Sequence, residues 1–411
     1  MITIHKPWVE QCGQTARLHA LIDVDRLSAD LWAEVPVSYG EYLCWERADA
    51  FLLAMLHYAM EFGHDIVCEA PVTDRLYEQL TELFIPCYCK LVPYKVKDGT
   101  GAWPVNIKCS VAPEIDPMLT DVVASGVSCG VDSMHVFATH PEITHGFIFD
   151  LHDRNYCSAN ERRAKAWEAL FSRARDFMRE RGGTLVPVKT NYDKGIVPGL
   201  RYEYQTAFPT LFLIYSLKKM ISKYYIASGD SIEDFTLNIP TNGDVAKCEH
   251  YLFPVVSLGT LNVRLEAPAL KRVEKVKDLI DYHFAHKYLN VCAKVLESGE
   301  NCNVCWKCRR TILNLLYYDK LDCFAKVFDI KYVGAHLRDY LLTLKRGIRD
   351  GDTYLYEMRE SLPLRLTGLL SCQDRLWVML QLHFRDRIWT LRRRLARIRI
   401  LHDVWRYIKC R

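Results

Sequence analysis

The sequence predicts an α/β fold with a doubly wound parallel sheet, and three observations support that prediction. Strand-like and helix-like segments alternate between residues 116 and 330. An apolar run from Val122 to Gly126 is followed by a short polar turn and by the opening of a helix at Met134. Half of the 411 residues are hydrophobic, which is enough to bury one large core and a second. Strands separated by helices imply parallel βαβ units.

Charge and hydropathy argue against a nucleic-acid-binding, a secreted or a membrane-spanning protein. The net charge of +4 is too mild to indicate a nucleic-acid-binding protein. The first residues lack a basic segment followed by an apolar one, and no apolar run approaches the length of a membrane span. We therefore expect a soluble cytoplasmic protein.

The region 1–115 is expected to form an α+β module. Alternation predicts strands over Arg17–Val24, His64–Cys68 and Trp103–Val111. Apolar residues at helical spacing predict a helix over Trp45–Phe62, and Thr73 is a candidate cap for a second helix through Leu83. The region contains no group of residues typical of a catalytic site. A role in substrate recognition or in dimerisation is left open.

The region 116–330 contains the alternating pattern. Further strands are predicted over Thr144–Phe149, Thr184–Val188 and Tyr224–Ala227, with helices over about 158–181 and 202–220. Ligands of doubly wound sheets bind beyond the carboxyl ends of the strands. Three predicted strands end in polar residues there: the turn 128–133, Asp150, and Gly229 with Asp230. We expect Asp150 to contact a nucleotide or to position Mg²⁺, although a strand-end cap is the alternative.

The turn after the first of these strands is the candidate anion site. A strand, a tight turn and a helix in that order present unpaired backbone N–H groups and a positive helix end to a phosphate. The alternative is an ordinary serine-rich helix cap. The residues predicted to contact a nucleotide there are Ser125, Gly126, Ser128, Cys129, Gly130, Val131, Asp132 and Ser133.

Four of the sixteen cysteines are clustered as C-x9-C-x2-C-x2-C, at Cys292, Cys302, Cys305 and Cys308. Four thiolates satisfy tetrahedral Zn²⁺ and leave no open position, so we expect a structural zinc site. A disulfide framework does not fit the expected compartment. An iron–sulfur cluster remains an alternative, although the spacing is not that of a ferredoxin.

The turn 128–133 resembles the Ser-Gly-Gly-x-Asp-Ser signature of the PP-loop ATP pyrophosphatases, which split ATP into AMP and pyrophosphate while they adenylate a substrate. With the cysteine cluster, Arg309-Arg310-Thr311 and the segment from Glu266 to Lys275, the chain resembles the QueC family. Members of that family convert 7-carboxy-7-deazaguanine into 7-cyano-7-deazaguanine with ATP and ammonia. The resemblance covers about residues 120 to 315.

The chain departs from the family by its extra N-terminal and C-terminal regions and at two places within the resemblance. Cys129 stands where the first glycine of the signature is usual, and a positive φ would be strained there. The stretch Phe235–Pro240 replaces the family's Tyr-Pro-Asp-Cys-Arg-like segment.

The resemblance implies a C–N bond-forming, AMP-producing ligase that uses ATP and Mg²⁺. Ser128, Asp132 and Ser133 would hold the leaving phosphates, and an amine would displace AMP from an activated carboxylate-bearing small molecule or modified base. Lys189 or Lys271 is a candidate phosphate contact. The alternatives are a sulfur-transfer enzyme with Cys129 or Cys157 as nucleophile, and a non-catalytic nucleotide-binding scaffold. A partner protein and a homodimer are both left open.

The region 331–411 is predicted to be a helical, basic C-terminal extension. Between Ile388 and Ile408 apolar residues recur every three or four positions and arginines lie among them. We expect a helix packed on the domain with a solvated basic face. Binding to an anionic surface, a nucleic acid or a lipid headgroup is the alternative.

Overall fold

The structure is a computed structural model that describes residues 1–91, 102–150, 161–192, 207–235, 249–294 and 296–358, with short stretches of 371–384. The chain divides into two compact units. The first consists of Met1–Asn290 with Val295–Glu300, and the second of Val291–Lys294 with Asn301–Arg411.

The part of the first unit up to residue 112 contains an antiparallel meander, which its second, third and fourth strands form by pairing in sequence. Its elements are β1 (Ile2–Ile4), β2 (Trp8–Cys12), β3 (Thr15–Val24), β4 (Leu27–Pro36), a 3-10 turn (Val37–Tyr42), α1 (Asp49–Phe62), β5 (Ile66–Cys68), β6 (Val72–Thr73), α2 (Asp74–Glu78), a π-helical turn (Gln79–Phe84), α3 (Ile85–Leu91), β7 (Ile107–Lys108) and β8 (Val111–Ala112). The strand predicted over Arg17–Val24 is confirmed as part of β3. Asp25, at a φ of 54°, makes the tight turn from β3 into β4.

The rest of the first unit alternates strands and helices, as the sequence predicts. Its elements are β9 (Val123–Gly126), α4 (Val131–Thr139), β10 (His145–Asp150), α5 (Glu161–Glu180), β11 (Thr184–Thr190), α6 (Ala207–Ser216), β12 (Lys223–Ala227), a 3-10 turn (Ile232–Asp234), α7 (Glu249–Val255), β13 (Asn262–Glu266), α8 (Arg272–Leu279) and α9 (His283–Tyr288).

The sheet order explains where a ligand can bind. Within the described residues the large sheet runs β13-β12-β9-β10-β11-β4-β3-β1-β5-β7, and its five strands from β13 to β11 are parallel. From β9 the chain winds outward to β10 and β11, and it then returns to β12 and β13 on the other side. The strand order therefore reverses between β9 and β12, where open α/β sheets bind ligands. The predicted α/β class with a mostly parallel sheet is confirmed and is consistent with a Rossmann-like fold.

Strand β11 joins the parallel half of the sheet to the meander. It pairs antiparallel with β4, so that Lys189 lies opposite Glu34. One sheet thus extends through both 1–115 and 116–330. On one face of β3, Leu18, Ala20 and Ile22 are fully buried in the core that helix α1 also fills. The division into an N-terminal module and a catalytic domain stays a prediction.

The second unit is helical in the residues that the structure describes. Its elements are α10 (Trp306–Tyr317), a 3-10 turn (Leu321–Phe324), α11 (Ile330–Ala335), α12 (Leu337–Asp350) and α13 (Thr353–Tyr356). The predicted helical pattern after Lys331 is confirmed as far as α13, whereas the basic stretch 388–408 lies outside the described residues. Among the described residues, no helix is both long and apolar enough to cross a membrane.

Candidate functional site

The turn between β9 and α4 is folded onto itself by two hydroxyl groups. The Ser133 hydroxyl donates to the carbonyl of Gly126 at 2.7 Å and accepts from the backbone N–H of Ser128 at 3.2 Å. The Ser128 hydroxyl accepts from the N–H of Gly130 at 3.2 Å. A Cβ atom added at Gly130 would lie 3.3 Å from that Ser128 oxygen, so glycine leaves the space that the hydroxyl occupies. In this geometry the Ser133 hydroxyl donates its proton within the turn, whereas the Ser128 hydroxyl acts there as an acceptor.

Cys129 has a positive φ, the conformation expected to be strained at this position. Its φ is 57°, in the left-handed region that favours glycine. Its carbonyl accepts a hydrogen bond from the N–H of Asn290 at 2.7 Å, which holds the strained peptide. The thiol is buried, and burial raises its pKa to about 12. A thiol with that pKa is a poor nucleophile at neutral pH.

Helix α8 brings two cations to the turn. Arg272 contacts Asp132 with 2.6 Å between Nη2 and Oδ2, and Lys275 lies 3.6 Å from the other carboxylate oxygen. Lys275 is only 2% exposed and donates to the carbonyl of Ser228 at 2.7 Å. Burial lowers the pKa of Lys275, and the Asp132 charge partly offsets that effect. The turn therefore carries a compact group of one carboxylate and two cations.

Sequence reasoning missed Arg272 and Lys275 and named Lys271 and Lys189 instead. Lys271 is paired with Glu233 at 2.7 Å, and Lys189 lies 4.0 Å from Glu34. The available signal was the three-residue spacing of Arg272 and Lys275, which puts them on one helix face.

The other predicted strand-end residues are partly or wholly buried. Asp150 ends β10 and is 2% exposed. After β12, the Ser228 hydroxyl donates to the carbonyl of Asp230, which also lies 3.2 Å from Nε2 of His250. Gly229 lies between Ser228 and Asp230 in the sequence. Cys157 lies outside the described residues.

A cavity of about 430 Å³ opens at this edge of the sheet. Gly126, Ser128, Gly130, Asp132 and Ser133 line it, together with the aromatic residues Phe149, Trp167 and Tyr224. Five predicted nucleotide contacts thus share one cavity, at the reversal of strand order. The remaining six do not line it: Ser125, Cys129, Val131, Asp150, Gly229 and Asp230. The Ser125 hydroxyl instead donates to the carbonyl of Tyr225 in β12 at 2.9 Å.

The four predicted cysteines meet in the second unit. Their Sγ atoms all lie within 4.8 Å of one another, and those of Cys302 and Cys308 are 3.9 Å apart. Sulfur atoms bound tetrahedrally to zinc are separated by about 3.8 Å. The donor set therefore fits a metal ion such as zinc with only a slight contraction, and the predicted cysteine metal site is confirmed as a group able to hold a metal.

Backbone N–H groups surround the sulfur atoms. The N–H of Cys305 donates to Sγ of Cys302 at 3.2 Å, and the N–H of Ala293 donates to Sγ of Cys305 at 3.3 Å. Burial by itself raises the pKa of the Cys305 thiol, but hydrogen bonds from the N–H groups of Cys308 and Ala293 and from the Cys308 and Cys302 side chains together outweigh it and lower that pKa to about 6. The environment of Cys305 therefore favours a thiolate, the form that binds metals, whereas burial raises the pKa of Cys292 and of Cys308.

Polar side chains fix the segments that carry the cysteines. Asn301 accepts from the N–H of Val291 at 2.8 Å and donates to the carbonyl of Val327 at 3.0 Å. The Tyr340 hydroxyl donates at 2.6 Å to the carbonyl of Asn303, whose φ is 58°. Hydrogen bonds thus link the cysteine-bearing segment to Val291, to Val327 and to Tyr340 of α12.

Comparisons of this chain with protein-family models, with curated proteins and with solved structures find no match.

Proposed function

We propose that this chain is an ATP-dependent adenylating enzyme of the PP-loop, QueC-like type. It would cleave ATP to AMP and pyrophosphate while activating a carboxylate or carbonyl group, and an amine would then displace AMP. One observation carries the proposal. The turn 126–133 lines a cavity at the reversal of strand order, and Arg272 and Lys275 lie beside that turn.

The proposed chemistry needs a site that holds phosphates. A carboxylate oxygen attacks the α-phosphorus, and the bond from that phosphorus to pyrophosphate breaks. The amine nitrogen then bonds to the acyl carbon, the bond from that carbon to the AMP oxygen breaks, and one amine proton is released. The protein's task is to bind the polyphosphate and to offset the charge that develops on the leaving group.

The residues of the turn suit that task in different ways. The first turn of α4 directs a positive helix end and backbone N–H groups toward a bound anion. Ser128 can donate its hydroxyl proton, whereas Ser133 keeps the turn closed. Arg272 and Lys275 supply positive charge beside the turn, so that phosphate oxygens can share or replace the carboxylate of Asp132 as their partner.

Asp132 does not fit direct binding of Mg²⁺. Two cations already flank its carboxylate, at 2.6 Å and 3.6 Å, and they oppose a third positive charge there. We assign to Asp132 the role of fixing Arg272 and Lys275 against the turn. Mg²⁺ commonly binds the phosphates of a nucleotide with few protein ligands, and it would supply charge neutralisation in that way.

The cysteine cluster is proposed to hold zinc in a structural role. Four sulfur ligands complete a tetrahedron and leave no position for a substrate.

The environment of Cys129 argues against that residue as the nucleophile of the sulfur-transfer alternative. Its thiol is buried, its pKa is raised to about 12, and it does not line the cavity. The scaffold alternative predicts nucleotide binding without turnover, and product analysis separates it from the proposal.

The test is chromatographic analysis of the products formed from ATP, Mg²⁺, ammonia and 7-carboxy-7-deazaguanine. We expect AMP and pyrophosphate in equal amounts, formed only when the acid is present. Ser133→Ala opens the turn and should lower the rate roughly 100-fold, provided that its melting curve shows a folded protein. Binding of ATP without AMP, with this acid and with a panel of other carboxylates, would overturn the proposal in favour of a nucleotide-binding scaffold.

A further inference from the structure

A second cavity of about 250 Å³ lies beside the first. It forms where β11 meets β4 and where α5 packs near both strands. Pro36, Pro187, Phe171 and Trp167 give it apolar and aromatic walls. Trp167 also lines the larger cavity, so the two cavities share one side chain of α5.

Three charged residues line the second cavity: Glu34, Lys189 and Glu168, of which Glu168 is exposed to solvent. Glu34 and Lys189 face each other across paired strands, with Oε1 and Nζ 4.0 Å apart, which is beyond hydrogen-bonding distance. The other oxygen of Glu34 accepts from Nε of Arg17 at 2.6 Å, and the Arg17 guanidinium lies 4.5 Å from the ring centre of Trp32. Arg17 therefore fixes the Glu34 carboxylate in place, with Oε1 of Glu34 on the side of Lys189.

The pair is suited to a ligand that carries both charges. The side chain of Glu34 is 10% exposed and that of Lys189 is 33% exposed, so both charges are partly withdrawn from water. An ammonium group can bind Oε1 of Glu34 while a carboxylate binds Nζ of Lys189, and charge-assisted hydrogen bonds of this kind are strong. The rings of Trp167 and Phe171 offer a surface for a flat or apolar side chain.

We propose that this cavity binds a small amino-acid-like zwitterion with an apolar or aromatic side chain. Its volume is below the roughly 300–1,000 Å³ of sites for drug-sized ligands, and it is far larger than ammonia requires. The shared Trp167 assigns this zwitterion as the amine substrate of the adenylated acid, a role that rests on the function proposed above. The binding itself does not depend on that function.

The test is calorimetric titration of the full chain, without nucleotide, with three ligands that share one ring. These are phenylalanine with both charges, phenethylamine with the ammonium alone, and 3-phenylpropionate with the carboxylate alone. We expect phenylalanine to bind at least about tenfold more tightly than either of the others, because each analogue contacts only one of the two charges, Glu34 or Lys189, and forgoes the second charge-assisted hydrogen bond. This comparison uses the unaltered protein and requires no variant to fold.

Two variants and one control locate the site. Glu34→Gln should remove the preference of phenylalanine over 3-phenylpropionate, and Lys189→Met should remove its preference over phenethylamine. Glu41→Gln removes an exposed carboxylate outside the cavity and should leave all three affinities unchanged. Equal binding of the three ligands, no binding of any of them, or a preference that survives both cavity variants would overturn the proposal.

The outcome is distinguishable from failure of the proposed function. If phenylalanine binds with this pattern but no acid yields AMP, the zwitterion site stands and the adenylating function fails. If AMP forms with ammonia but phenylalanine does not bind, the adenylating function stands and the zwitterion site fails.

Discussion

The turn before α4 and the cysteine cluster before α10 have similar local backbone structure, but they surround different kinds of space. Each is a short polar loop that leads into a helix, and each contains a residue other than glycine at positive φ, Cys129 at 57° and Asn303 at 58°. In the cluster, the N–H groups of Cys305 and Cys308 donate to cysteine sulfur atoms of the same loop. The sulfur atoms converge on a space the size of one metal ion.

The turn before α4 instead faces a cavity of about 430 Å³. Gly130 precedes the helix and supplies no capping side chain, and the positive charges near the turn come from α8 rather than from the loop. The difference teaches that loop geometry alone does not separate a structural site from a binding site. What separates them is the space that each loop surrounds: room for one metal ion in the cluster, and a cavity of about 430 Å³ at the turn.

The largest effect is expected from loss of a cysteine ligand. Cys308→Ser and Cys292→Ser should abolish binding of the metal and lower the free energy of unfolding by at least about 5 kcal/mol, because metal binding and folding of the second unit are coupled. Metal content by mass spectrometry and thermal melting with and without a chelator would measure both effects.

The matched control is Cys323→Ser, in the same unit. Cys323 is exposed and lies outside the cluster, so this change should leave metal content and melting temperature nearly unaltered. Undiminished metal content in Cys308→Ser would contradict a structural metal site. The proposed difference between the cysteine cluster and the turn before α4 would then fail.

An intermediate effect is expected at the turn before α4. Arg272→Met or Lys275→Met should lower the rate of AMP formation roughly 100- to 1,000-fold, because each removes a positive charge that offsets charge on the leaving phosphates. Stability should change less than in the cysteine variants, since either change leaves Asp132 with one cation nearby. Steady-state kinetics and denaturant unfolding of the same samples would separate the two effects.

Lys277→Met is the control on the same helix. Lys277 is exposed, so its removal should leave the rate within about twofold of the unaltered protein. A similar loss of rate in Lys277→Met would indicate that α8 acts through its overall charge and not through contacts with Asp132.

The sequence predicts the parallel half of the fold well because each strand there is a short buried run between recognisable helices. The N-terminal meander was less predictable. Strand β2 is exposed along most of its length, so it has no alternation to detect. Pairing of β11 with β4 joins residues more than 150 positions apart, and no local pattern encodes that contact. The helix predicted from Trp45 begins at Asp49.

The candidate sites show the same division between local and distant information. Cys302, Cys305 and Cys308 lie within seven residues of sequence, and their spacing alone predicted that they converge. Arg272 and Lys275 reach Asp132 from about 140 residues away, through the packing of α8 on α4. Their contribution depends on the fold, so the sequence offered only their spacing on one helix.

The smallest effect tests the strain at Cys129. Cys129→Gly should be more stable than Cys129→Ala by roughly 1 kcal/mol, because relief of a left-handed conformation exceeds the added entropy that glycine gives the unfolded chain. At Cys44, a buried cysteine without a positive φ, the order should reverse, with alanine more stable than glycine. Denaturant unfolding of the four variants measures both differences.

Both Cys129 variants should also retain AMP formation, since a buried thiol with a raised pKa takes no part in the proposed chemistry. A folded Cys129→Ala protein that binds ATP but has lost turnover would instead favour sulfur transfer, and the turn would then resemble the cysteine cluster in using sulfur for its function.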